Sequence, residues 1–188
     1  MNIHQLSIAH QVEHDRILVQ INTLAGEELR VWLTRRLLVN LLPHLTREVA
    51  NVEVRNGQVA IADEAAKKML VDFKKQASIT QADFKTPFKA AASTFPVGSE
   101  PLLVTHVNLS PAGKENLRIG FEEKISTGAT KRGFEVTMAS DLLHGFMHLL
   151  ELAIKNADWG ILPPQNPDDS RENAADGPAP VGTVRYLN

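Results

Sequence analysis

The residues best suited to chemistry lie near the end of the chain, where two histidines stand four positions apart. At roughly 100° per residue, Asp141, His144, His148 and Glu151 fall within about 80° of one another on a helix. Histidines at this spacing are typical of zinc ligands on a helix. However, Gly145 stands where a zinc protease carries glutamate, and the four polar residues lie opposite the apolar face. The pattern therefore favours a solvated helix surface over a metal site, with His144 and His148 as the candidate ligands if a metal is bound.

A second group of residues could bind single-stranded nucleic acid, because it combines aromatic rings with cations. Bases stack on aromatic side chains, while lysine and arginine contact the phosphates. Phenylalanines in a linker also anchor it to a core, which is the alternative interpretation. The candidate nucleic-acid-binding residues are Trp32, Phe84, Lys85, Phe88, Lys89, Lys131 and Arg132.

The sequence carries none of the patterns that mark the common enzyme classes. It has no G-x-S-x-G nucleophile turn, no phosphate-binding P-loop and no glycine pattern for a dinucleotide. It also has no cysteine to act as a nucleophile, form a disulfide or bind a metal. We therefore expect no cofactor and favour a protein without catalytic activity. The alternative is a small-molecule or metal-dependent enzyme that uses His144 and His148.

Two stretches of similar layout must position these residues, and each is a strand that leads directly into an amphipathic helix. The stretches are 29–50 and 133–156, and a shift of 105 positions aligns their apolar residues. The aligned pairs are Val31 and Val136, Leu33 and Met138, Leu37 and Leu142, Leu38 and Leu143, Leu41 and Phe146, Leu42 and Met147, and Leu45 and Leu150. We interpret this match as an internal duplication with pseudo-two-fold symmetry.

Alternating apolar residues before each helix complete two β-β-β-α units, so the predicted fold class is α+β. The first unit spans residues 1–50 and the second spans 101–156. The intervening 51–100 is predicted to hold an inserted hairpin that turns at Asn56-Gly57, then a helix and a long connection. That helix is expected over about 63–77, with its buried face formed by Ala66, Met69, Leu70 and Phe73.

Local signals set several boundaries within the two units. Thr34 and Ser140 are predicted N-caps of the two long helices. Pro43 predicts a kink or an early end in the first helix. The alternation from Leu103 to Leu109 predicts a single strand at the start of the second unit.

Charge is spread unevenly and bears on the partner. Residues 1–156 carry 18 basic and 17 acidic side chains, whereas residues 157–188 carry 2 and 5. A nearly neutral body does not predict the basic face of most nucleic-acid-binding proteins. The charge balance therefore favours a protein partner, with nucleic acid as the alternative.

The last stretch, 157–188, is predicted to be a flexible, acidic, proline-rich tail with a strand-like tip at 181–188. Trp159, Ile161 and Leu162 are expected to anchor its start on the core. An extended tip can add a strand to an exposed sheet edge, and we expect it to do so between subunits. The candidate partner-binding residues are Val184, Arg185, Tyr186 and Leu187.

The sequence shows no secretion-signal pattern and no uncharged apolar run of about 18 residues. We therefore expect a cytoplasmic protein without a membrane partner. Together these observations favour a non-enzymatic binding or assembly protein that forms a homo-oligomer or binds another protein. It is expected to act through a sheet surface or its C-terminal tail, with single-stranded nucleic-acid binding as the alternative.

Overall fold

The computed structural model describes residues 2–56, 64–84, 86–89, 94–124 and 132–161. These residues form a mixed α+β structure with a four-stranded sheet, a three-stranded sheet and three α-helices. The α+β class predicted from the sequence is therefore confirmed. Lys85, Lys131, Leu162 and the tail tip, with Val184, Arg185, Tyr186 and Leu187, lie outside the described residues.

The first sheet is built from three consecutive antiparallel strands. They are β1 (Ile3–Gln11), β2 (Arg16–Thr23) and β3 (Glu28–Leu33), and a 3-10 turn, Val12–His14, joins the first two. In the register, Ile8 lies opposite Val19, which lies opposite Val31. Because side chains alternate along a strand, this row and every second residue on either side of it point to the same face of the sheet. That face is the buried one.

Helix α1 (Arg35–Asn56) follows β3 directly and is longer than the sequence predicted. Thr34 caps it as expected, since its Oγ1 accepts a hydrogen bond from the Leu37 N–H at 3.2 Å. Pro43 lies inside the helix without ending it. The hairpin predicted around Asn56-Gly57 is wrong for the described part, because 52–56 is helical.

The helix continues because apolar residues recur every three or four positions on its buried face. After Leu45 come Val49 and Val52, both buried, and then Glu53. Burial of this face favours a helix up to Asn56, despite the turn preference of the Asn56-Gly57 dipeptide. The 3.6-residue periodicity was present in the sequence through these positions and could have identified the longer helix.

Helix α2 (Glu64–Gln81) is oriented differently from the prediction. Ala66, Met69 and Phe73 are exposed, Met69 to 72% and Phe73 to 70%, and Leu70 is half-buried. The side that packs on the rest of the fold instead carries Ser78, which is buried. The predicted buried face of this helix is therefore wrong.

The chain then passes from one sheet to the other. Strand β4 (Leu102–Leu103) pairs in parallel with β3, and β5 (His106–Pro111) begins the second sheet. The single strand predicted from Leu103 to Leu109 is thus split at Val104. The backbone N–H of Val104 donates to Trp32 in the first sheet, while its neighbour, Thr105, donates to Glu122 in the second.

The second sheet is an antiparallel meander of β5, β6 (Asn116–Glu123) and β7 (Arg132–Ala139). Gly133 is required in β7, because a Cβ there would lie 2.5 Å from the Phe121 carbonyl oxygen. Helix α3 (Ser140–Ala157) follows β7 without a connection. Ser140 is its first helical residue rather than its cap, and Ala139 takes the N-cap position without a side-chain bond.

The two long helices are exchanged between the sheets. Helix α3, from the second half of the chain, packs chiefly on β1 and also contacts β6 and β7, whereas α1, from the first half, packs on β5 and β6. Trp159, just beyond α3, is buried as predicted, and Ile161 is partly buried. No helix among the described residues is long and apolar enough to span a membrane.

Both helices bury corresponding positions. Leu38, Leu41 and Leu45 are buried in α1, and their counterparts at a shift of 105 positions, Leu143, Phe146 and Leu150, are buried in α3. Leu37 and Leu142, expected to be fully buried, are both half-buried. The element order β-β-β-α likewise occurs twice. The internal duplication itself remains a prediction.

Truncating a buried side chain on either helix is expected to destabilise the whole fold. We expect Leu41→Ala and Phe146→Ala each to lower the free energy of unfolding by about 2–5 kcal/mol, because a cavity replaces the lost side chain. Chemical denaturation of each variant measures this loss. Val39→Ala, at an exposed position of α1, is the matched control and should change stability by less than about 0.5 kcal/mol. Equal stability of the core and control variants would contradict the packing described.

Candidate functional site

The polar stripe on α3 is only partly exposed to solvent, because His144 is buried, His148 and Glu151 are half-buried and Asp141 is exposed. Asp141 Oδ1 accepts a hydrogen bond from Ser78 Oγ of α2 at 2.8 Å, and Glu151 accepts one from Lys75 Nζ at 2.7 Å. His144 is only 1% exposed. The solvated surface predicted from the sequence is therefore wrong at His144, whereas Asp141 and Glu151 keep access to water while they bond to α2.

Glu53 joins helices α1 and α3 through hydrogen bonds to two residues of α3. No pattern in the sequence singled this residue out. Its carboxylate is 1% exposed, and Oε1 accepts hydrogen bonds from Ser140 Oγ and from His144 Nε2, the latter at 3.0 Å. The second oxygen, Oε2, has no hydrogen-bond partner among the described residues. The cluster joins the end of α1 to the first turn and a half of α3.

The side-chain types in this cluster are those of a hydrolase triad, but the geometry is not. In a triad the serine donates to histidine, and the carboxylate holds the opposite side of the ring. Here Ser140 and His144 both donate to the same oxygen of Glu53. All three residues are also buried, so no substrate can reach the hydroxyl. The arrangement therefore stabilises the fold and does not activate a nucleophile.

The hydrogen bonds also set the protonation state of the cluster. Burial alone would raise the pKa of Glu53, but the bonds from His144 and Ser140 outweigh it and hold the pKa below its ordinary value of 4.5. A carboxylate buried in this way must keep its donors, because an uncompensated buried charge is strongly destabilising.

His148 has a different environment from His144. Its ring packs against the Phe84 ring with 5.3 Å between centroids. Burial, and then the nearby charge of Lys75, lowers the pKa of His148 below 6.5. In the described part of the chain, no three or more His, Asp or Glu side chains come together as a metal site would require. The structure thus gives His144 and His148 separate partners.

The residues predicted to bind nucleic acid also have separate partners. Trp32 packs against the His14 ring at 5.2 Å, and Arg132 forms an ion pair with Glu123. Phe84 and Phe88 line a cavity beside β1. Lys89 contributes its backbone, whose carbonyl accepts a hydrogen bond from Asn22 and whose N–H donates to Gln5. Nucleic-acid binding remains a hypothesis from the sequence.

Gln5 holds the connection after α2 in place. Its amide donates to the Pro87 carbonyl at 3.4 Å and accepts from the Lys89 N–H at 3.1 Å, so one side chain pairs with the backbone on both sides of Phe88. Asn22 Nδ2, on the next strand, donates to the Lys89 carbonyl at 2.6 Å. These bonds fix a segment that the sequence identified only as a long connection.

Each exchanged helix forms a concave surface with the edge strand on which it packs. The first is a cavity of about 600 Å³ between β1 and α3, bordered on a third side by the end of α2 and by Ala82, Asp83, Phe84, Thr86 and Phe88. The second is a groove of about 410 Å³ between β5 and α1. We call these the β1–α3 cavity and the β5–α1 groove.

The β5–α1 groove is lined by both apolar and polar side chains. Leu37 and Leu41 of α1 line one side, and Val107 and Leu109 of β5 line the other. The polar lining residues are Asn40, His44, Arg47, Glu48, Thr105 and His106. The sequence could not reveal the groove, because nothing in either stretch indicates that α1 packs beside β5.

Comparison with protein-family models, with curated proteins and with solved structures finds no match to this chain.

Replacing the central carboxylate of the cluster tests its contribution to stability. The stabilisation by Glu53 is complete above its ordinary pKa of 4.5 and is lost as the pH falls through the lowered pKa of the folded state. We expect Glu53→Gln to lower the free energy of unfolding by about 1–3 kcal/mol near neutral pH, and to weaken its decrease between about pH 5 and pH 3. Urea denaturation across this range measures both effects.

Glu48→Gln, on the same helix, is the matched control, because Glu48 is half-buried and accepts its hydrogen bond from Asn51. It should alter stability less at neutral pH. If Glu53→Gln were as stable as the parent and kept the same pH dependence, the cluster would not stabilise the fold in the way described.

Proposed function

We propose that this chain is a non-enzymatic binding and assembly protein that acts through the β5–α1 groove, with a second copy of itself as the partner. The observation that carries this proposal is the place of β5, which forms an edge of the second sheet and borders the groove. An edge strand presents backbone N–H and C=O groups that can pair with an added strand. The groove offers that strand contacts for its side chains.

The lining of the groove suits an extended segment with alternating side chains. Backbone hydrogen bonds to β5 give such a segment affinity, and every second side chain can enter the groove. Apolar side chains on that side would contact Leu37 and Leu41 of α1 and continue the row of Val107 and Leu109 along β5. Side chains on the other side would join the polar outer face of the second sheet.

The segment that we assign to the groove is the tail tip, residues 181–188, of a second copy. In its sequence, Val184 and Tyr186 alternate with Thr183 and Arg185. Val184 and Tyr186 would enter the groove, while Thr183 and Arg185 would face the solvent. The stretch 168–176 that precedes the tip carries four acidic side chains and one basic one, which suits approach to a rim with Arg47, His44 and His106.

The point where the described chain ends supports this assignment. Trp159 Nε1 donates to Asp15 Oδ1 at 2.7 Å, so the chain beyond α3 is held beside the start of β2. A linker of about 20 residues between Ile161 and the tip spans ~25 Å on average if it behaves as a random coil. This reach includes a groove on a neighbouring copy.

The proposed duplication gives an independent reason to choose this groove. A shift of 105 positions places Leu37 on Leu142, and Leu142 lines the β1–α3 cavity. There, residues 82–84, Thr86 and Phe88 lie beside β1 and α3 and form part of the wall. Among the described residues, no equivalent segment lines the β5–α1 groove. An added segment from a second copy would take the equivalent place.

Removing the tail tip is expected to weaken assembly. We expect deletion of 181–188, or the double substitution Val184→Asp and Tyr186→Asp, to lower the molar mass measured by light scattering, because charged groups cannot enter an apolar groove without large cost. Thr183→Asp is the matched control, since its side chain is assigned to the solvent side. An unchanged mass after deletion would rule out the tip as the assembly element.

A bulky side chain on α1 that fills the groove is expected to lower the molar mass in the same way. Asn40 lines the groove and is exposed on α1, so Asn40→Trp should occupy it without disturbing the core. Val39→Trp, at an exposed neighbour that does not line the groove, is the matched control. Equal mass for both variants would show that assembly uses another surface. A monomeric parent whose tip is still protected from amide exchange would instead show docking within one chain.

A further inference from the structure

The β1–α3 cavity carries an inference that does not depend on assembly. Its volume of about 600 Å³ lies within the usual range for small-molecule sites, ~300–1,000 Å³. Its walls come from an edge strand, a helix and the segment that Gln5 and Asn22 hold to the first sheet. Because these walls are fixed by hydrogen bonds and packing, the cavity is built into the fold.

Gly145 faces this cavity from the middle of the helix α3. A Cβ at this position would meet no atom within 4 Å, so close packing does not require glycine here. The backbone is helical, so a positive φ does not require it either. Glycine is less favourable than alanine inside a helix, and the helix therefore loses stability at this position without a packing gain. The missing side chain leaves the helix backbone open to a molecule in the cavity.

The apolar part of the lining includes two aromatic rings. Phe84 is 42% exposed although its ring is held against His148, and Phe88 is half-buried beside it in the cavity wall. Leu142 and Leu149 line the cavity from α3 on either side of Gly145. A flat or branched hydrocarbon group placed among these side chains would remove their apolar surface from water.

The acidic side chains among the described lining residues supply negative charge. Asp83 and Asp141 are present, and no lysine or arginine is among the described lining residues. Lys75, on the neighbouring helix, is bound to Glu151 at 2.7 Å. Asp141 uses Oδ1 to accept a bond from Ser78, which orients the carboxylate, and Oδ2 makes no hydrogen bond to a described residue. The remaining acceptor can therefore take an N–H from a ligand.

From these features we infer that the β1–α3 cavity binds a small organic ammonium ion with an apolar or aromatic body. The ammonium group donates to Asp141 Oδ2, in a charge-assisted hydrogen bond. The body lies over Gly145, between Phe84 and Phe88 on one side and the leucines of α3 on the other. Aromatic rings near a cation add to this attraction.

A matched set of three probes tests the inference with the full chain. 2-Phenylethylammonium, 2-phenylethanol and 3-phenylpropionate share a phenyl body and differ in the charge of the head group. We expect titration calorimetry to rank their affinities in that order. Asp141→Asn should lower the affinity for the ammonium probe by roughly tenfold or more, and should leave that for the alcohol nearly unchanged.

Gly145→Ala supplies a second test, in which the stability of the fold should rise while the affinity for the probes should fall. The added methyl favours the helix, so the midpoint of thermal unfolding should rise by about 1–4 °C. The same methyl occupies the cavity, so the affinity for all three probes should fall. Asn156→Ala, at an exposed position near the end of α3, is the control and should leave binding unchanged.

Three kinds of result would overturn the inference. The first is binding of the phenylpropionate as tightly as the ammonium probe, or an Asp141→Asn variant that keeps the preference for the ammonium ion. The second is unchanged affinity in Gly145→Ala, which would place the probe elsewhere. Absence of binding by any probe at millimolar concentration would equally reject the site.

Discussion

The fold depends on the exchange of helices between its two halves. A meander of three strands has one apolar face, and that face must be covered for the sheet to be stable in water. In this chain α3 covers β1 of the first sheet, and α1 covers β5 and β6 of the second. Neither half can therefore cover the apolar face of its own sheet without the other half. The two halves share a single core.

The same exchange explains why a carboxylate is buried at the centre of the molecule. Helix α1 follows a strand of the first sheet and packs on the second, whereas α3 follows a strand of the second sheet and packs on the first. The end of α1 therefore lies beside the beginning of α3. Glu53 meets Ser140 and His144 at that crossing. Two donors converge on one oxygen of this carboxylate, and they compensate part of the cost of burying its charge.

The sequence predicts the parts of this structure that follow from periodicity, and it fails where contacts are distant. The two β-β-β-α orders and the burial of Leu41 and Phe146 come from local alternation and helical spacing, which need no knowledge of partners. The interpretation of His144 as a surface residue fails because its partner lies 91 positions away on a helix from the other half. The predicted burial of Met69 and Phe73 is wrong for the same reason. The polar side of α2, and not the side that carries these two residues, is the one that finds partners on α3.

The crossing between the sheets also restricts how the molecule can move. Val104 donates its backbone N–H to the first sheet and the adjacent Thr105 donates to the second, with N···O distances of 3.1 and 2.9 Å. A hinge needs a few residues whose backbone angles are free to change, and here two consecutive peptide groups are bound to different sheets. A change in the angle between the sheets would therefore strain one of these two hydrogen bonds.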